Sequence, residues 1–256
     1  MLKDAHRLAR CNAVSQPTHN EETFLNERTQ LPPLPRRSCA AGAVAALLLA
    51  ACGGGGDGGS AAAPSPAGPD FDNISINPTT TCDMAGIGAA ALSADAPVTV
   101  LEVATGTTGA GATDREYCLV KVKVDPAVNI WVSLPTTSWN GRFRAEGNGV
   151  YAGASQLGVA TDSVRQGFVG VKTDTGHPDF FLSGAFGMLS PGNPNVPVQE
   201  DFAHRSMHLM AVVGKQLTKA YYAQDPVRSY WYGCSTGGRQ GLMMAQRYPE
   251  DFDAIL

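Results

Sequence analysis

The chain has 256 residues, of which 19 are Lys or Arg and 23 are Asp or Glu, so its formal net charge is −4 at pH 7. This length allows one large domain or two small ones, and a composition with 43% hydrophobic and 16% charged residues excludes a highly charged disordered chain. The acidic balance argues against a nucleic-acid partner, because nucleic-acid binders carry a basic patch.

The beginning of the chain has the features of a targeting segment. Arg36 and Arg37 precede an unbroken run of small and apolar residues at 40–51, which is shorter than the about 20 residues that a membrane-spanning helix needs. A basic pair followed by such a run predicts a secretory signal. The run leads through Leu-Ala-Ala into Cys52, which resembles a bacterial lipobox and implies cleavage before Cys52 and a lipid on its sulfur. The alternative is a buried helix that ends at a glycine stop.

Three parts are expected along the chain: an N-terminal extension with a lipoprotein-type signal peptide (1–51), a flexible linker (52–70) and a globular domain (71–256). The linker is predicted because residues 53–69 contain seven Gly, three Pro and no large apolar residue. Residues 1–35 are interpreted as the result of an upstream start-site choice, with an unusual cytosolic extension as the alternative. The protein is expected to be exported and lipid-anchored at the bacterial membrane or outer surface, or otherwise periplasmic or secreted.

Three cysteines follow the predicted lipidation site Cys52: Cys82, Cys118 and Cys234. Disulfides persist in exported proteins, and an odd number of cysteines means a missing partner or a free thiol. Cys82 and Cys118 are predicted to form a disulfide, with two buried thiols as the alternative. Cys234 is then left over. No C-x-x-C pair is present, which argues against a zinc ribbon.

Alternation and helical spacing predict the elements of the domain. In residues 118–124, Leu119, Lys121 and Lys123 alternate with three valines, which is the period of a half-buried strand. Apolar residues at roughly helical spacing predict helices over 201–222 and 236–247. The predicted strands are 98–103, 118–124, 129–134, 142–146, 167–173 and 230–232. Strands followed by strand–helix alternation favour an α/β fold with a mixed sheet.

The motif that carries chemistry lies between the last predicted strand and the last predicted helix. Residues 233–237 read Gly-Cys-Ser-Thr-Gly, a G-x-S-x-G pattern in the strand–turn–helix context of a nucleophile elbow. A sharp turn would hold Ser235 in a strained conformation that needs small neighbours. The helix N-terminus would place the Thr236 amide and a positive dipole beside a developing oxyanion. The alternative is a Gly-rich turn whose serine merely caps the helix.

Four separated segments carry a resemblance to a known family. Residues 229–256 (SYWYGCSTGGRQGLMMAQRYPEDFDAIL) resemble the core of the tannase/feruloyl esterase family of α/β-hydrolases, in which a cysteine directly precedes the nucleophile. Residues 139–153 (WNGRFRAEGNGVYAG), 173–177 (TDTGH) and 201–222 match in the same order. The resemblance covers roughly residues 80–256. It implies the N-terminal part of an α/β-hydrolase fold, with a mixed sheet and a nucleophile elbow, truncated before the lid.

The resemblance also implies a catalytic site. The family has a Ser-His-Asp triad, and its nucleophile corresponds to Ser235. Its oxyanion donors correspond to the amide of Thr236 and to a backbone amide of Gly147 or Asn148. Cys234 matches one half of a family disulfide whose other half adjoins the catalytic histidine. The family's lid usually holds calcium, so structural Ca²⁺ is expected in the missing lid and no cofactor or metal in this chain.

The order of residues along the chain departs from the family. In α/β-hydrolases the acid and then the histidine follow the serine, whereas all five histidines here precede Ser235. The chain is therefore expected to be a fragment or the product of a truncated gene, without the triad acid, the triad histidine or the partner of Cys234, and inactive alone. His177 is a less favoured substitute base. His204 and His208, spaced i and i+4, are interpreted as hydrogen-bonded side chains in preference to metal ligands.

The sequence thus predicts a serine carboxylic ester hydrolase that acts on aromatic-acid esters, of the feruloyl or galloyl type, through an acyl-enzyme. One alternative is a catalytically inactive surface lipoprotein, a relic or binding domain with the same fold. Another is a different acyl-transfer activity on that fold. Five further residues are assigned structural positions: Trp139 and Trp231 in the core, Arg142 and Arg144 in surface ion pairs, and Arg239 in a structural salt bridge.

Overall fold

The computed structural model describes residues 73–151, 153, 158–177 and 182–256. The predicted signal peptide, Cys52 and the linker lie outside these residues, so those assignments stay predictions. Within the part of the chain that the structure describes, no helix combines the length and the apolar character needed to cross a bilayer.

The strands of the described residues form one large mixed sheet and one small hairpin. The strands are β1 (Val98–Thr107), β2 (Glu116–Val124), β3 (Val128–Pro135), β4 (Arg142–Glu146), β5 (Val169–Thr173), β6 (Met188–Ser190), β7 (Asn193–Pro194), β8 (Arg228–Tyr232) and β9 (Ala254–Ile255). The large sheet has the order β1-β2-β3-β5-β4-β8-β9, and β6 pairs only with β7. The first three pairings, from β1 to β5, are antiparallel, and the pairings β5-β4, β4-β8 and β8-β9 are parallel.

Helices and single turns connect the strands. The α-helices are α1 (Thr161–Arg165), α2 (Val196–Glu200), α3 (Ser206–Tyr222) and α4 (Thr236–Arg247). A π-helical turn at Asp201–Arg205 joins α2 to α3, and 3₁₀ turns occur at Ile87–Ala89 and Ala185–Gly187. The expected helix over 201–222 is thus present but opens with the π-turn, and α4 has the predicted bounds. Strands and helices together confirm the expected α/β fold with a mixed sheet.

Alternation along β2 builds the core as predicted. Val120, Val122 and Val124 are fully buried, while the intervening Leu119, Lys121 and Lys123 are partly exposed. Side chains of a strand point alternately to opposite faces, so the three valines share the buried face. Their neighbours on β3, such as Ile130 opposite Val122, are buried as well.

Two helices cover opposite faces of the sheet. Gly214 of α3 lies so close to Phe143 and Val171 that a Cβ at this position would come within 2.9 and 3.0 Å of their side chains. Gly170 on β5 faces α1, where its Cβ would meet Ser163 at 2.6 Å. Because Gly170 and Val171 are consecutive in a strand, α1 and α3 pack on different faces.

The structure confirms the disulfide between Cys82 and Cys118. Cys118 is fully buried in β2, and Cys82 precedes the 3₁₀ turn at Ile87–Ala89. The bond therefore holds the segment before β1 against the sheet.

Candidate active site

Ser235 lies in a sharp turn between β8 and α4. Its backbone angles are φ 57° and ψ −120°, which are costly for a residue with a side chain. Its side chain makes no capping hydrogen bond to α4, so the alternative in which the serine merely caps the helix is wrong. The strained backbone is the conformation that the G-x-S-x-G pattern predicts.

Glycines around Ser235 allow backbone to pack against backbone. A Cβ at Gly233 would lie 2.6 Å from the carbonyl carbon of Gly237, and a Cβ at Gly147 would lie 2.6 Å from Gly237 Cα. Both distances are far below a normal carbon–carbon contact. The loop after β4 and the first turn of α4 therefore touch directly beside Ser235.

Three of the four segments that carried the resemblance meet at one edge of the sheet. Since β5, β4 and β8 are parallel neighbours, their carboxyl ends lie side by side. Residues 147–148 follow β4, residues 174–177 follow β5, and Ser235 follows β8. This edge is where ligands bind in open α/β sheets.

The amides expected to bind an oxyanion differ in their present hydrogen bonds. Gly147 N–H donates to the Tyr232 carbonyl at 2.9 Å, and Asn148 N–H donates to Gln240 Oε1 at 2.9 Å. In this conformation neither is free for a substrate oxygen, so the geometry does not support the donor role expected for them. Thr236 is the first residue of α4, where a main-chain N–H has no carbonyl of the preceding turn to bind.

The side-chain amides of Asn148 and Gln240 form a buried pair close to the turn at Ser235. This pair was not identified from the sequence. Gln240 has no exposed surface, and its Nε2 donates to Asn148 Oδ1 at 3.1 Å. Asn148 Nδ2 donates to the Thr173 carbonyl at 2.9 Å. The signal in the sequence was a polar residue among the apolar positions of the last helix.

His177 lies in an aromatic cluster after β5. The residue is 2% exposed, and its ring stacks on Phe186 with 3.7 Å between ring centroids and 4° between planes. Phe202 and Tyr151 complete the cluster. No histidine of the described residues is hydrogen-bonded to Ser235, so the substitute-base hypothesis has no support from this geometry.

His204 and His208 bind partners on the segment around the end of α4. His204 Nδ1 is 2.9 Å from the Tyr248 hydroxyl, and His208 Nδ1 is 2.8 Å from Asp251 Oδ2. Burial lowers the pKa of His204 below its ordinary value, which favours the neutral ring. These contacts agree with the hydrogen-bonded interpretation. Within the described ranges, no group of three or more His, Cys, Asp or Glu side chains could hold a metal ion. The calcium expected in the family's lid stays a prediction.

The structural assignments of five other residues have mixed outcomes. Trp139 and Trp231 are fully buried, as predicted. Arg144 pairs with Glu146 at 3.4 Å, although both side chains are largely buried, and Arg142 lies over the Phe168 ring. The salt bridge expected for Arg239 is wrong, because its guanidinium donates to the main-chain carbonyls of residues 202 and 203.

Cys234 is a free, exposed thiol next to Ser235.

The family model and the most similar curated proteins agree on one family. A family model described as "Tannase and feruloyl esterase" matches residues 114–256, which is more than half of the chain. A probable feruloyl esterase from Arthroderma benhamiae is 42% identical over 130 residues, which are 50% of this chain and 24% of that protein. A probable feruloyl esterase B from Aspergillus clavatus is 38% identical over 148 residues, 57% of this chain and 27% of that protein. The chain thus spans about a quarter of the length of these curated relatives.

Solved structures are similar over a larger share of the chain. An esterase from Aspergillus oryzae matches with a TM-score of 0.53 and 34% identity, over 62% of this chain and 34% of that one. Feruloyl esterase B from the same organism matches with a TM-score of 0.53 and 30% identity, over 64% and 35%. A tannin acyl hydrolase from Aspergillus niger, at 23% identity and a TM-score of 0.55 over 69% and 37%, supports the fold alone.

Proposed function

The chain belongs to the tannase and feruloyl esterase family, and on that basis we propose that it is a serine carboxylic ester hydrolase for esters of aromatic acids, of the feruloyl or galloyl type. The observation that carries the proposal is the strained backbone of Ser235 between β8 and α4. The substrate class is inferred from relatives named as feruloyl esterases.

In the proposed reaction, the Ser235 hydroxyl attacks the ester carbonyl carbon and gives its proton to a base. The Thr236 N–H and the positive end of the α4 dipole stabilise the tetrahedral oxyanion. The base then protonates the alcohol oxygen as its bond to the carbonyl carbon breaks, which leaves the acyl group on Ser235 Oγ. Water attacks this acyl-enzyme, releases the acid and restores the serine.

The base decides how fast this chain reacts by itself. His204 and His208 are bound to Tyr248 and Asp251, and His177 stacks on Phe186. A serine hydroxyl without a base is a weak nucleophile at neutral pH, and oxyanion binding alone leaves a rate about 10³–10⁴ over that in water. We therefore expect slow turnover from the 256-residue chain by itself.

Imidazole added as an external base tests the proposal. The chain is incubated with para-nitrophenyl acetate or methyl ferulate, and acylation is mapped by peptide mass spectrometry. We expect an acyl group on Ser235 whose rate of formation rises with imidazole, and no such group in Ser235→Ala. Because the exposed Cys234 thiol is itself acylated by activated esters, all proteins carry Cys234→Ala.

Two outcomes would contradict this account. Absence of a Ser235 adduct at every imidazole concentration would favour the second candidate, a catalytically inactive surface domain with the same fold. Ordinary esterase rates without imidazole, lost in Ser235→Ala, would show that an internal base such as His177 acts on Ser235.

We propose further that the protein is exported and held at a membrane by a lipid on Cys52. The Cys82–Cys118 disulfide supports the export proposal, since disulfides persist in oxidising compartments. An aromatic ester would then reach Ser235 outside the cytosol.

A further inference from the structure

The buried amide pair joins the nucleophile's helix to the loop after β4. Gln240 lies on α4, five residues after Ser235, and it is fully buried, while Asn148 is 5% exposed. Gln240 Oε1 accepts the Asn148 main-chain N–H at 2.9 Å, and Gln240 Nε2 donates to Asn148 Oδ1 at 3.1 Å. Two bonds between the same residues fix both the distance and the orientation of the loop relative to the helix.

The pair extends to the neighbouring strand. Asn148 Nδ2 donates to the Thr173 carbonyl at 2.9 Å, at the end of β5. The oxygen and the nitrogen of both side-chain amides are thus hydrogen-bonded within the protein, as is usual for buried polar groups. Asn148 therefore connects the carboxyl ends of β4 and β5 to the first turns of α4.

The loop after β4 follows α4 up to the residue next to the nucleophile. Gly147 lies against Gly237, and Thr236 Oγ1 donates to the Val150 carbonyl at 2.8 Å. Gln240 is the side chain of α4 that holds the part of the loop between these two contacts. A shift of this loop would change the space beside Ser235.

We propose that Gln240 is a positioning residue for the reaction of Ser235, acting through its two hydrogen bonds to Asn148. The inference rests on the ester chemistry proposed above. It also gives the Asn148 N–H a different task from the one expected from the sequence, since this amide orients the loop instead of binding the oxyanion. A misplacement of about 1 Å near reacting atoms can reduce a rate by about 10².

A second glutamine offers a matched structural control. Gln216 on α3 makes a comparable reciprocal pair with Ser93, with two bonds of 2.8 Å, but both of its partners are main-chain groups. That pair is exposed and ties the segment before β1 to α3. The same substitution at Gln216 removes two similar hydrogen bonds from a place that does not adjoin the loop after β4.

The experiment measures imidazole-assisted acylation of Ser235 in the whole chain with Cys234→Ala, for Gln240→Met, Gln240→Glu and Gln216→Met. Gln240→Met removes donor and acceptor at similar side-chain volume, and we expect its maximal acylation rate to fall about tenfold or more, with the half-saturating ester concentration little changed. Gln216→Met is expected to keep the parent rate. Thermal unfolding and circular dichroism of each variant establish that the compared proteins are folded.

Gln240→Glu provides a readout that a merely structural side chain would not move. A protonated carboxyl can accept from the Asn148 N–H and donate to Oδ1, whereas the carboxylate loses the donor. The acylation rate relative to the parent at the same pH should therefore be higher near pH 5 than near pH 8.

Each outcome has one meaning. Ser235 acylation at the parent rate in folded Gln240→Met, or a relative rate of Gln240→Glu that does not change with pH, would overturn the positioning role and leave the proposed function intact. If Gln240→Met does not fold, the pH profile of Gln240→Glu decides. Absence of Ser235 acylation in the parent itself would overturn the proposed function, and the positioning role with it.

Discussion

At the scale of single residues, Gly147 is one of the positions around Ser235 where two backbone segments are in close contact. A Cβ there would lie 2.6 Å from Gly237 Cα and 3.0 Å from the buried Trp231 ring. Neither neighbour can retreat easily, because one is helix backbone and the other is a fully buried indole. The absence of a side chain lets the loop after β4 come close enough for the Asn148–Gln240 bonds.

Gly147→Ala is therefore expected to destabilise the protein by about 1–3 kcal/mol, the usual cost of adding atoms to a packed site. Gly238→Ala is the matched control, because the nearest atom to its Cβ would be 3.6 Å away and alanine favours a helix over glycine by about 0.5–1 kcal/mol. Urea unfolding of both variants tests the steric argument. Equal stability of the two variants would refute it.

Arg239 and Gln240 show what a residue's type alone does not reveal. Each is a polar residue on a helix, and the sequence suggested only a salt bridge for Arg239. In the fold, Arg239 satisfies carbonyls of the π-turn while its guanidinium lies 4.9 Å from the centre of the Phe202 ring. Such partners come from segments distant in sequence, so local patterns carry no information about them.

At the scale of elements, β2 is the strand to which a disulfide bond links the segment before β1. It lies between β1 and β3, and its Cys118 carries the disulfide to Cys82, 36 residues earlier. The crosslink closes a loop that includes all of β1. It therefore limits the conformations of the unfolded chain between Cys82 and the start of β2.

Replacing both Cys82 and Cys118 with alanine is expected to reduce the free energy of unfolding by about 3–4 kcal/mol on the chain-entropy model for a loop of this length. Denaturant unfolding under non-reducing conditions measures the loss. Cys234→Ala is the control and should leave stability nearly unchanged, since its thiol is free and exposed. Full stability in the double variant, or a Cys118–Cys234 crosslink in peptide maps of the parent, would contradict the assignment.

Short elements were the ones that periodicity missed. α1 and α2 have five residues each, and β9 has two, too few for an apolar repeat to appear. By contrast, β2 and α4 are long enough to show one, and α4 was predicted with its observed bounds. The π-turn before α3 left the helical pattern visible but placed Phe202 against His177 and Arg239.

At the scale of the whole molecule, the chain is expected to have a lipoprotein-type signal peptide in addition to its globular domain. The run before Cys52 predicts cleavage and lipid attachment at that cysteine. Mass spectrometry of membrane-fraction protein, produced in a bacterium that processes lipoproteins, should show a diacylglyceryl group on an N-terminal Cys52. Cys52→Ser should remove the lipid and release the protein from the membrane. An unmodified N-terminus at Met1 would show the assignment to be wrong.

The sequence alone determined features whose causes are local. The alternation in 118–124 predicted which side of β2 is buried, because side chains of a strand alternate. The small residues flanking Ser235 predicted a strained turn between strand and helix, because only a tight turn needs them. The Cys82–Cys118 disulfide was also predicted, with two buried thiols as the alternative, and the structure contains it.

Only the tertiary structure decided how these local features meet. Insertion of β4 between β5 and β8 brings Asn148 to Gln240 across 92 residues of sequence. That pairing depends on which strands pack together, a non-local choice that no single segment encodes. The same packing engages the Gly147 and Asn148 amides in internal bonds and places His177 on Phe186, because each buried polar or aromatic group takes the partner that the completed sheet puts beside it.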